Sequence, residues 1–264
     1  MNHLEPLSPF GLVIHAAEPK AVPTSIAPDV LTDLLKEHRV LVLRGFSALE
    51  DGPYADFCQT FGELMLWEFG AVLNVRLEQN PKNHLFSKGR VELHWDGAFA
   101  QQIPKINVFQ CVASSSSGDG GETLFVDTTR LLADASAHER QLWDAIELSY
   151  STEKKAHYGG DIHVRFIDDH PHFPWKVLRF IETENEDNLE VNPVKAVIKG
   201  FSDDHVRQEA FVRDLTRRMY ADSYMYKHRW KQGDYMLIDN NSVLHGRAKV
   251  HGNVSRHLKR VHVL

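Results

Sequence analysis

The sequence is poor in cysteine, with only Cys58 and Cys111 among 264 residues. Two thiols cannot form a disulfide framework or a thiolate zinc site, so we expect two buried thiols in a reducing compartment. The chain also lacks any apolar run of about eighteen residues. Its first twenty residues contain no basic segment that leads into a long apolar stretch. We therefore expect a cytoplasmic protein without a membrane span.

Positive charge is also scarce, because 30 Lys and Arg face 36 Asp and Glu and leave a formal charge of −6. No overall basic field attracts nucleic acid or an anionic membrane, so we expect neither as a partner. An anionic small molecule would need a local arginine. Histidine, by contrast, is abundant at sixteen residues, and it is the commonest metal ligand. Length and composition fit one globular domain over residues 1–264.

Short strand-like runs dominate the chain. Residues 40–46 predict a buried strand, and residues 30–38 and 54–61 on either side have helical spacing. Further strands are predicted at residues 72–77, 91–96, 106–112, 122–126, 224–230, 235–238 and 258–264. Helices are predicted over residues 127–148 and from 202 to about 220.

Residues 150–192 are interrupted by His, Asp, Pro and Gly, and only residues 175–181 resemble a strand. We expect an irregular excursion there, and a surface loop rather than a domain linker at residues 114–121. This balance predicts a mainly β fold with flanking helices. We expect a double-stranded β-helix, or jelly roll, with an inserted irregular or helical segment rather than alternating βαβ units.

One short motif, His94-Trp95-Asp96, carries metal-ligand chemistry. Residues i and i+2 of a strand point to the same face, so the imidazole and the carboxylate would project together. His245 is the best candidate for the third ligand of a two-histidine, one-carboxylate triad, which leaves open positions on Fe(II) for a cosubstrate and oxygen. His170 and His172 form a competing pair, but the prolines around them favour a loop.

Two arginines near the C-terminus have the spacing of inward-facing residues. On an extended strand Arg256, Leu258 and Arg260 face the same side. Inward guanidiniums require anionic partners, so one could anchor a keto acid and the other an acidic substrate. Thr123 could add a hydroxyl hydrogen bond to the keto acid. The alternative for Arg260 is a solvated charge that discourages pairing at a sheet edge.

Taken together, His94-x-Asp96, Gly120-Gly121-x-Thr123, Asp239-Asn240, His245-Gly246-Arg247 and Arg256 resemble the taurine dioxygenase family. That resemblance implies a double-stranded β-helix that uses Fe(II), 2-oxoglutarate and O2. It also implies a catalytic iron site formed by His94, Asp96 and His245. Thr123 and Arg256 would then bind 2-oxoglutarate, and Arg260 would bind the anionic group of the substrate.

The segments at residues 61–72, 93–97, 228–230 and 256–262 are similar to the oxygenases of bacterial isonitrile biosynthesis. This similarity implies a functional link to an isonitrile synthase and a substrate that is a tyrosine-derived isocyano acid, tyrosine isonitrile. The expected reaction is desaturation of its Cα–Cβ bond, with or without decarboxylation. Trp67, Phe69 and Phe99 are candidates for an aromatic substrate pocket, although core packing is the alternative for each.

Two other functions remain open from the sequence. The first is a taurine-type hydroxylase that acts on another small acid. The second, from a different class, is a metal- or ligand-sensing barrel without turnover, because a fold does not imply a function. An intact triad with both arginines favours an enzyme, because a sensor needs neither an open iron position nor an anchor for a keto acid.

Overall fold

A computed structural model of the chain describes residues 2–114, 119–152, 160–183, 187, 194–201, 204–252 and 254–264. Its helices are short and lie outside the sheets. The α-helices of the described residues are α1 Pro28–His38, α2 Asp51–Gln59, α3 Thr128–Ala133, α4 Ala137–Asp144 and α5 His205–Met219. Single 3-10 turns occur at Pro23–Ser25 and His84–Phe86.

Strands outnumber helices among these residues, as the sequence predicts. They are β1 His3–Pro6, β2 Leu12–His15, β3 Val40–Arg44, β4 Leu73–Arg76, β5 Val91–His94, β6 Ile106–Ala113, β7 Thr123–Asp127, β8 Glu147–Thr152, β9 Ile162–Arg165, β10 Ile167–Asp169, β11 Lys176–Leu178, β12 Val194–Lys199, β13 Met225–His228, β14 Tyr235–Asp239, β15 Val243–Arg247 and β16 His257–Val263. The mainly β architecture with flanking helices is confirmed.

Two sheets form the centre of the fold. The larger has seven strands in the order β1-β2-β3-β14-β6-β16-β4, and the smaller has four in the order β13-β7-β15-β5. Their facing side chains share one buried cluster that contains Val42 and Met236 from the large sheet and Phe125 and Val243 from the small sheet. The sheets therefore pack face to face, and the space between them is where a site can be built.

The alternation of strand side chains decides what each sheet covers. In β3, Val40 and Val42 belong to the cluster between the sheets, whereas Leu41 and Leu43 belong to a second cluster that includes α1 and α2. Successive strand residues point to opposite faces, so a continuous apolar run fits a strand buried on both sides. The predicted strand and its two flanking helices are confirmed.

The single helix predicted over residues 127–148 is wrong, because the structure breaks it into three elements. The Asp127 side chain caps α3 by accepting a hydrogen bond from the Thr129 amide at 2.9 Å. Ser136 then starts α4 with a capping box that involves Glu139. Leu148 lies in β8, which pairs with β12 and β9. The new helix start is set by side-chain hydrogen bonds to backbone amides, which amphipathic spacing does not reveal.

The middle of the chain contains more strands than predicted. Besides β11, the described residues include β8, β9, β10 and β12 between residues 147 and 199. These strands are three to six residues long and carry polar side chains on exposed faces, so their apolar signal is weak. The helix predicted from residue 202 to about 220 is confirmed as α5, which Asp204 caps. Part of the predicted loop at residues 114–121 lies outside the described residues.

Both cysteines are buried free thiols, as expected. Among the described residues no helix has the length and apolar character needed to cross a bilayer.

A buried ion pair ties β3 to the turn before β14. Arg44 donates to both carboxylate oxygens of Asp234 at 2.8 and 2.9 Å, and Asp234 is 1% exposed. His228 approaches the same carboxylate at 3.5 Å. Removal of one partner leaves an uncompensated buried charge, which costs far more than the loss of an exposed pair.

We therefore expect Asp234→Ala to lower the free energy of unfolding by about 3–5 kcal/mol, because it strands the Arg44 guanidinium in a partly buried site. Denaturant unfolding monitored by circular dichroism measures the change. The matched control is Asp222→Ala, which removes the partner of Lys227 in an exposed pair and should leave the midpoint unchanged. Equal effects of the two substitutions would contradict the structural role of the buried pair.

Candidate active site

The two histidines of the predicted triad are direct neighbours across a strand pair. β5 and β15 run antiparallel in the small sheet, and His94 stands opposite His245 in their register. Side chains directly opposite each other lie on the same face, and the two ring centroids are 4.5 Å apart. His245 lies within β15, after β14 and the turn that follows it. Strand pairing therefore brings together two ligands that are distant in sequence.

Asp96 reaches the histidines from a turn rather than from the strand. β5 ends at His94, and Gly97 adopts a φ of +78°, which lets the chain turn directly after the carboxylate. The Asp96 oxygens lie 3.6 Å from His94 Nε2 and 3.3 Å from His245 Nε2. The ligand atoms of all three residues are within 4.8 Å of one another. The structure therefore assembles the predicted set, although the strand geometry expected for Asp96 is wrong.

The donor set and its surroundings fit an iron(II) ion. His94 Nδ1 lies 2.7 Å from the Glu92 carbonyl, so that nitrogen carries the hydrogen and Nε2 is left as a metal ligand. Burial lowers the pKa of His245 to about 4, which keeps the ring neutral near pH 7. Two imidazoles and one carboxylate on one side are the ligands of non-haem iron oxygenases. Within the described part of the chain no other group of three such residues converges.

The competing pair in the proline-containing loop has a different role. His170 Nε2 lies 3.2 Å from the buried carboxylate of Asp239, and His170 Nδ1 accepts a hydrogen bond from the His172 amide. Both ring nitrogens of His170 are therefore occupied by the protein.

Two buried asparagines fix the position of Asp96 through hydrogen bonds. Asn240 accepts a hydrogen bond from the Asp96 amide at 2.9 Å and donates to the Asp96 carbonyl at 3.0 Å. Asn107 donates to the Asp96 carboxylate at 2.8 Å and to the Asn240 side chain at 3.1 Å. The backbone and the side chain of Asp96 are thus both fixed, which is how neighbouring hydrogen bonds orient metal ligands.

Positive and polar groups from β16 face the same carboxylate. Arg260 Nη1 lies 3.0 and 3.2 Å from the two oxygens, and His262 Nε2 lies 3.1 Å from one of them. Burial opposes ionisation of Asp96, but the positive charge of Arg260 holds the pKa of this carboxyl well below its usual range. Arg260 is 6% exposed, and its strand lies inside the large sheet, so it is not a solvated edge charge.

A small cavity opens on one side of the triad. Arg256, Leu258 and Arg260 line it together, as the spacing predicts, with Thr123 and His245 opposite. Burial lowers the pKa of Arg256 to about 10, and no hydrogen bond from its guanidinium occurs within the described part of the chain. A buried guanidinium without an acceptor is a receptor for an anion.

The neighbouring Arg247 is committed to the protein itself. Its guanidinium donates to the carbonyls of Leu85, Ser87 and Gly89, so it holds in place the segment that contains Leu85, a lining residue of the cavity. Gly246, directly after His245, lies against β5, where an added Cβ would approach the Val91 carbonyl to 2.6 Å.

A larger cavity opens on the other side of the triad. Its polar lining residues are His84, Glu92, His94, Asp96, Thr152, Glu182, Arg260 and His262. Its other lining residues, most of them apolar, include Trp67, Leu85, Trp95, Phe99, Ile181 and Val194. Trp67 and Phe99 thus line the cavity. Phe69 does not line the cavity; its side chain is 60% exposed and stacks on Trp67 with a distance of 6.3 Å between ring centroids. His94 and Arg260 contribute to both cavities, so the two cavities meet at the triad.

Residues 3–262 match the taurine catabolism dioxygenase TauD, TfdA family. The chain belongs to this family. The large and small sheets with their inward triad are therefore the scaffold of a TauD/TfdA dioxygenase, and the chain is an enzyme of this oxidoreductase class.

Several relatives of the chain carry names from isonitrile chemistry. The 3-((Z)-2-isocyanoethenyl)-1H-indole synthase of Fischerella ambigua is 40% identical over 98% of this chain and 94% of its own length. The tyrosine isonitrile desaturase of Pseudomonas aeruginosa is 33% identical over 96% of this chain and 87% of its own. PvcB from the same species is described as an Fe, alpha-ketoglutarate dependent oxygenase from an isonitrile synthetic pathway. It superposes with a TM-score of 0.82 at 30% identity, covering 99% of this chain and 91% of PvcB.

Several residues of this dioxygenase site escaped the sequence analysis. Asn107 and His262 contact Asp96, and Trp230 contacts Thr123. One available signal was polarity, because Asn107 is one of two polar residues, with Gln110, in the mostly apolar strand β6, and it is 0% exposed. Strand parity was another, since His262 lies two residues after Arg260 and shares its face.

We expect alanine at His94, Asp96 or His245 to weaken divalent metal binding at least about 100-fold, because each substitution removes one of three ligands. Anaerobic titration with Co(II), followed by visible absorption, measures the affinity without turnover. His172→Ala is the matched control, since it removes a histidine outside the triad. Undiminished binding in the triad variants would rule out the site.

Proposed function

We propose that this chain is an Fe(II)- and 2-oxoglutarate-dependent oxygenase that desaturates the Cα–Cβ bond of an aromatic isocyano acid. Tyrosine isonitrile is the expected substrate, and the tryptophan-derived analogue is the second compound to test. The observation that carries the proposal is the meeting of two unlike cavities at the triad. The small one offers buried positive charge to a keto acid, and the large one offers apolar walls to an aromatic ring.

His94, Asp96 and His245 would hold the iron, which supplies the binding and activation of oxygen when present. Arg256 and Thr123 would hold 2-oxoglutarate in the small cavity. Arg260 Nη1 donates a hydrogen bond to Asp96. The buried Nε of Arg260 has no acceptor among the described residues and would bind the carboxylate of a substrate. Trp67 and Phe99 would flank the aromatic ring. Phe69 would extend this wall from the outside by stacking on Trp67.

In the proposed reaction the substrate loses two protons and two electrons. O2 accepts four electrons, two from the substrate and two from 2-oxoglutarate, which is oxidised to succinate and carbon dioxide. One oxygen atom enters succinate, and the other leaves as water with the two protons. The weakest C–H bond of an aromatic isocyano acid is the benzylic one, and the ring stabilises the radical or cation left behind. The buried pocket excludes water and holds the substrate, and displacement of the reacting carbon by about 1 Å could decide between desaturation and hydroxylation.

The relatives support the chemistry of the product. One carries the name of a synthase for an isocyanoethenyl indole, which has an alkene beside the isonitrile, and another is named for the desaturation of tyrosine isonitrile. An isonitrile synthase would supply the substrate. The double-stranded β-helix, the single domain over residues 1–264 and the cytoplasmic location stay predictions alongside this proposal.

The test is an anaerobic titration with Fe(II) and 2-oxoglutarate, monitored by the visible band of the chelate, followed by tyrosine isonitrile or its tryptophan analogue and air. We expect substrate-dependent succinate and a product lighter by two hydrogens, with or without loss of carbon dioxide. Asp96→Ala is the inactive control. A product heavier by one oxygen would replace the desaturase with a hydroxylase, and a wild-type protein without a chelate band would favour the sensing barrel.

The role of Arg256 gives a separate prediction. We expect Arg256→Gln to weaken 2-oxoglutarate binding roughly 30- to 100-fold, because a charge-assisted bidentate contact is lost from a buried site. The concentration that gives half of the chelate absorbance measures the effect directly. Arg229→Gln, which changes an arginine whose side chain is 74% exposed, should leave it unchanged. Equal affinities of the two variants would place the keto acid elsewhere.

A further inference from the structure

A buried tryptophan contacts the proposed 2-oxoglutarate site from behind. Trp230 Nε1 donates a hydrogen bond to Thr123 Oγ1 at 2.7 Å, and the two residues are 8% and 6% exposed. Thr123 lines the small cavity together with Arg256, whereas Trp230 is not among the cavity-lining residues. The tryptophan can therefore influence a ligand in this cavity only through the threonine or through packing.

We propose that Trp230 is a positioning residue that aims the Thr123 hydroxyl proton at the carboxylate held by Arg256. This inference rests on the proposed binding of 2-oxoglutarate in the small cavity. It assigns a role in cosubstrate affinity to a residue that does not touch the cosubstrate.

The direction of the hydrogen bond follows from the two groups. An indole N–H can only donate, so the threonine oxygen must act as the acceptor. The hydroxyl then has one proton of its own to donate. Among the described residues no protein group accepts that proton, and Thr123 is nearly fully buried. A buried donor without an acceptor is costly, so a ligand carboxylate in the cavity is its natural partner.

The donated hydrogen bond also strengthens the hydroxyl as a donor. Hydrogen bonds in series polarise one another in a buried site, so a hydroxyl that already accepts from an N–H donates more strongly. Loss of the indole N–H would leave the hydroxyl free to rotate between orientations, of which only some meet the carboxylate. The expected consequence is weaker binding, not loss of the site.

The indole ring is held in place by its surroundings. It packs on Phe109 with a centroid distance of 5.9 Å and against the edge of His228 at 4.6 Å. His228 is fixed in turn by a 2.7 Å hydrogen bond between its Nδ1 and the Tyr226 hydroxyl. Strand β13 also sets His228 opposite Thr123 in register, which places Trp230 just beyond the threonine. Phenylalanine at position 230 can keep this packing while it removes only the N–H.

The experiment is a double-mutant cycle on Trp230→Phe and Thr123→Val, read by anaerobic titration of the Fe(II) protein with 2-oxoglutarate. We expect Trp230→Phe to weaken binding about threefold to tenfold and Thr123→Val about tenfold. The double variant should match Thr123→Val, because the tryptophan has nothing left to orient. Metal affinity and the thermal unfolding midpoint of Trp230→Phe should stay close to those of the wild type.

Trp175→Phe is the matched control. It removes another indole N–H that donates to a hydroxyl, that of Ser242 at 3.2 Å, outside both cavities that meet at the triad. It should leave 2-oxoglutarate affinity unchanged.

Three results would decide against the inference. Wild-type affinity in Trp230→Phe would remove it. An equal loss in the presence and absence of the Thr123 hydroxyl would show that the tryptophan acts by packing alone. Equal weakening by Trp175→Phe would show a nonspecific effect. A wild-type protein that forms no chelate with 2-oxoglutarate would instead defeat the proposed function, so the two failures are distinguishable.

Discussion

The antiparallel pairing of β5 with β15 is the constraint on which the site depends. It sets His94 opposite His245, and the turn at Gly97 then brings Asp96 between them. Neither histidine could be moved by one position without a change of face, because the side chains of a strand alternate. The same pairing brings Gly246 close against the backbone of β5, where a side chain would collide. The convergence of the two histidines is therefore a consequence of sheet register.

Several buried charged side chains lie around the paired histidines. Asp96 is the one triad carboxylate, and Arg260, Asn107 and His262 all direct hydrogen-bond donors at it. Arg256 has no such acceptor among the described residues and is left to compensate an incoming anion. A buried charge is stabilised either by a charged or hydrogen-bonding partner within the protein or by a bound ligand. The difference between Arg260 and Arg256 separates the two proposed roles of the arginines.

Local sequence patterns predicted many of the strands and helices but fewer of the points where one element ends and the next begins. The apolar run of β3 and the helical faces beside it were readable, because burial on both sides leaves a periodic signal. The break between α3 and α4 was not readable from amphipathic spacing, since Ser136 continues no apolar stripe and acts through backbone capping. The half-exposed strands between residues 147 and 199 are only three to six residues long, so their periodic signal is short.

The sequence by itself determined which functional groups are present. These are two histidines and an aspartate as candidate ligands, two arginines spaced to face the same side of a strand, and aromatic residues for a pocket wall. Only the tertiary structure decided which groups meet. It placed Asn107, Asn240 and His262 on Asp96 and Trp230 on Thr123, and it left Phe69 outside the larger cavity. Residue types are local properties, whereas these contacts join strands that are distant in the chain and depend on which sheets pack together.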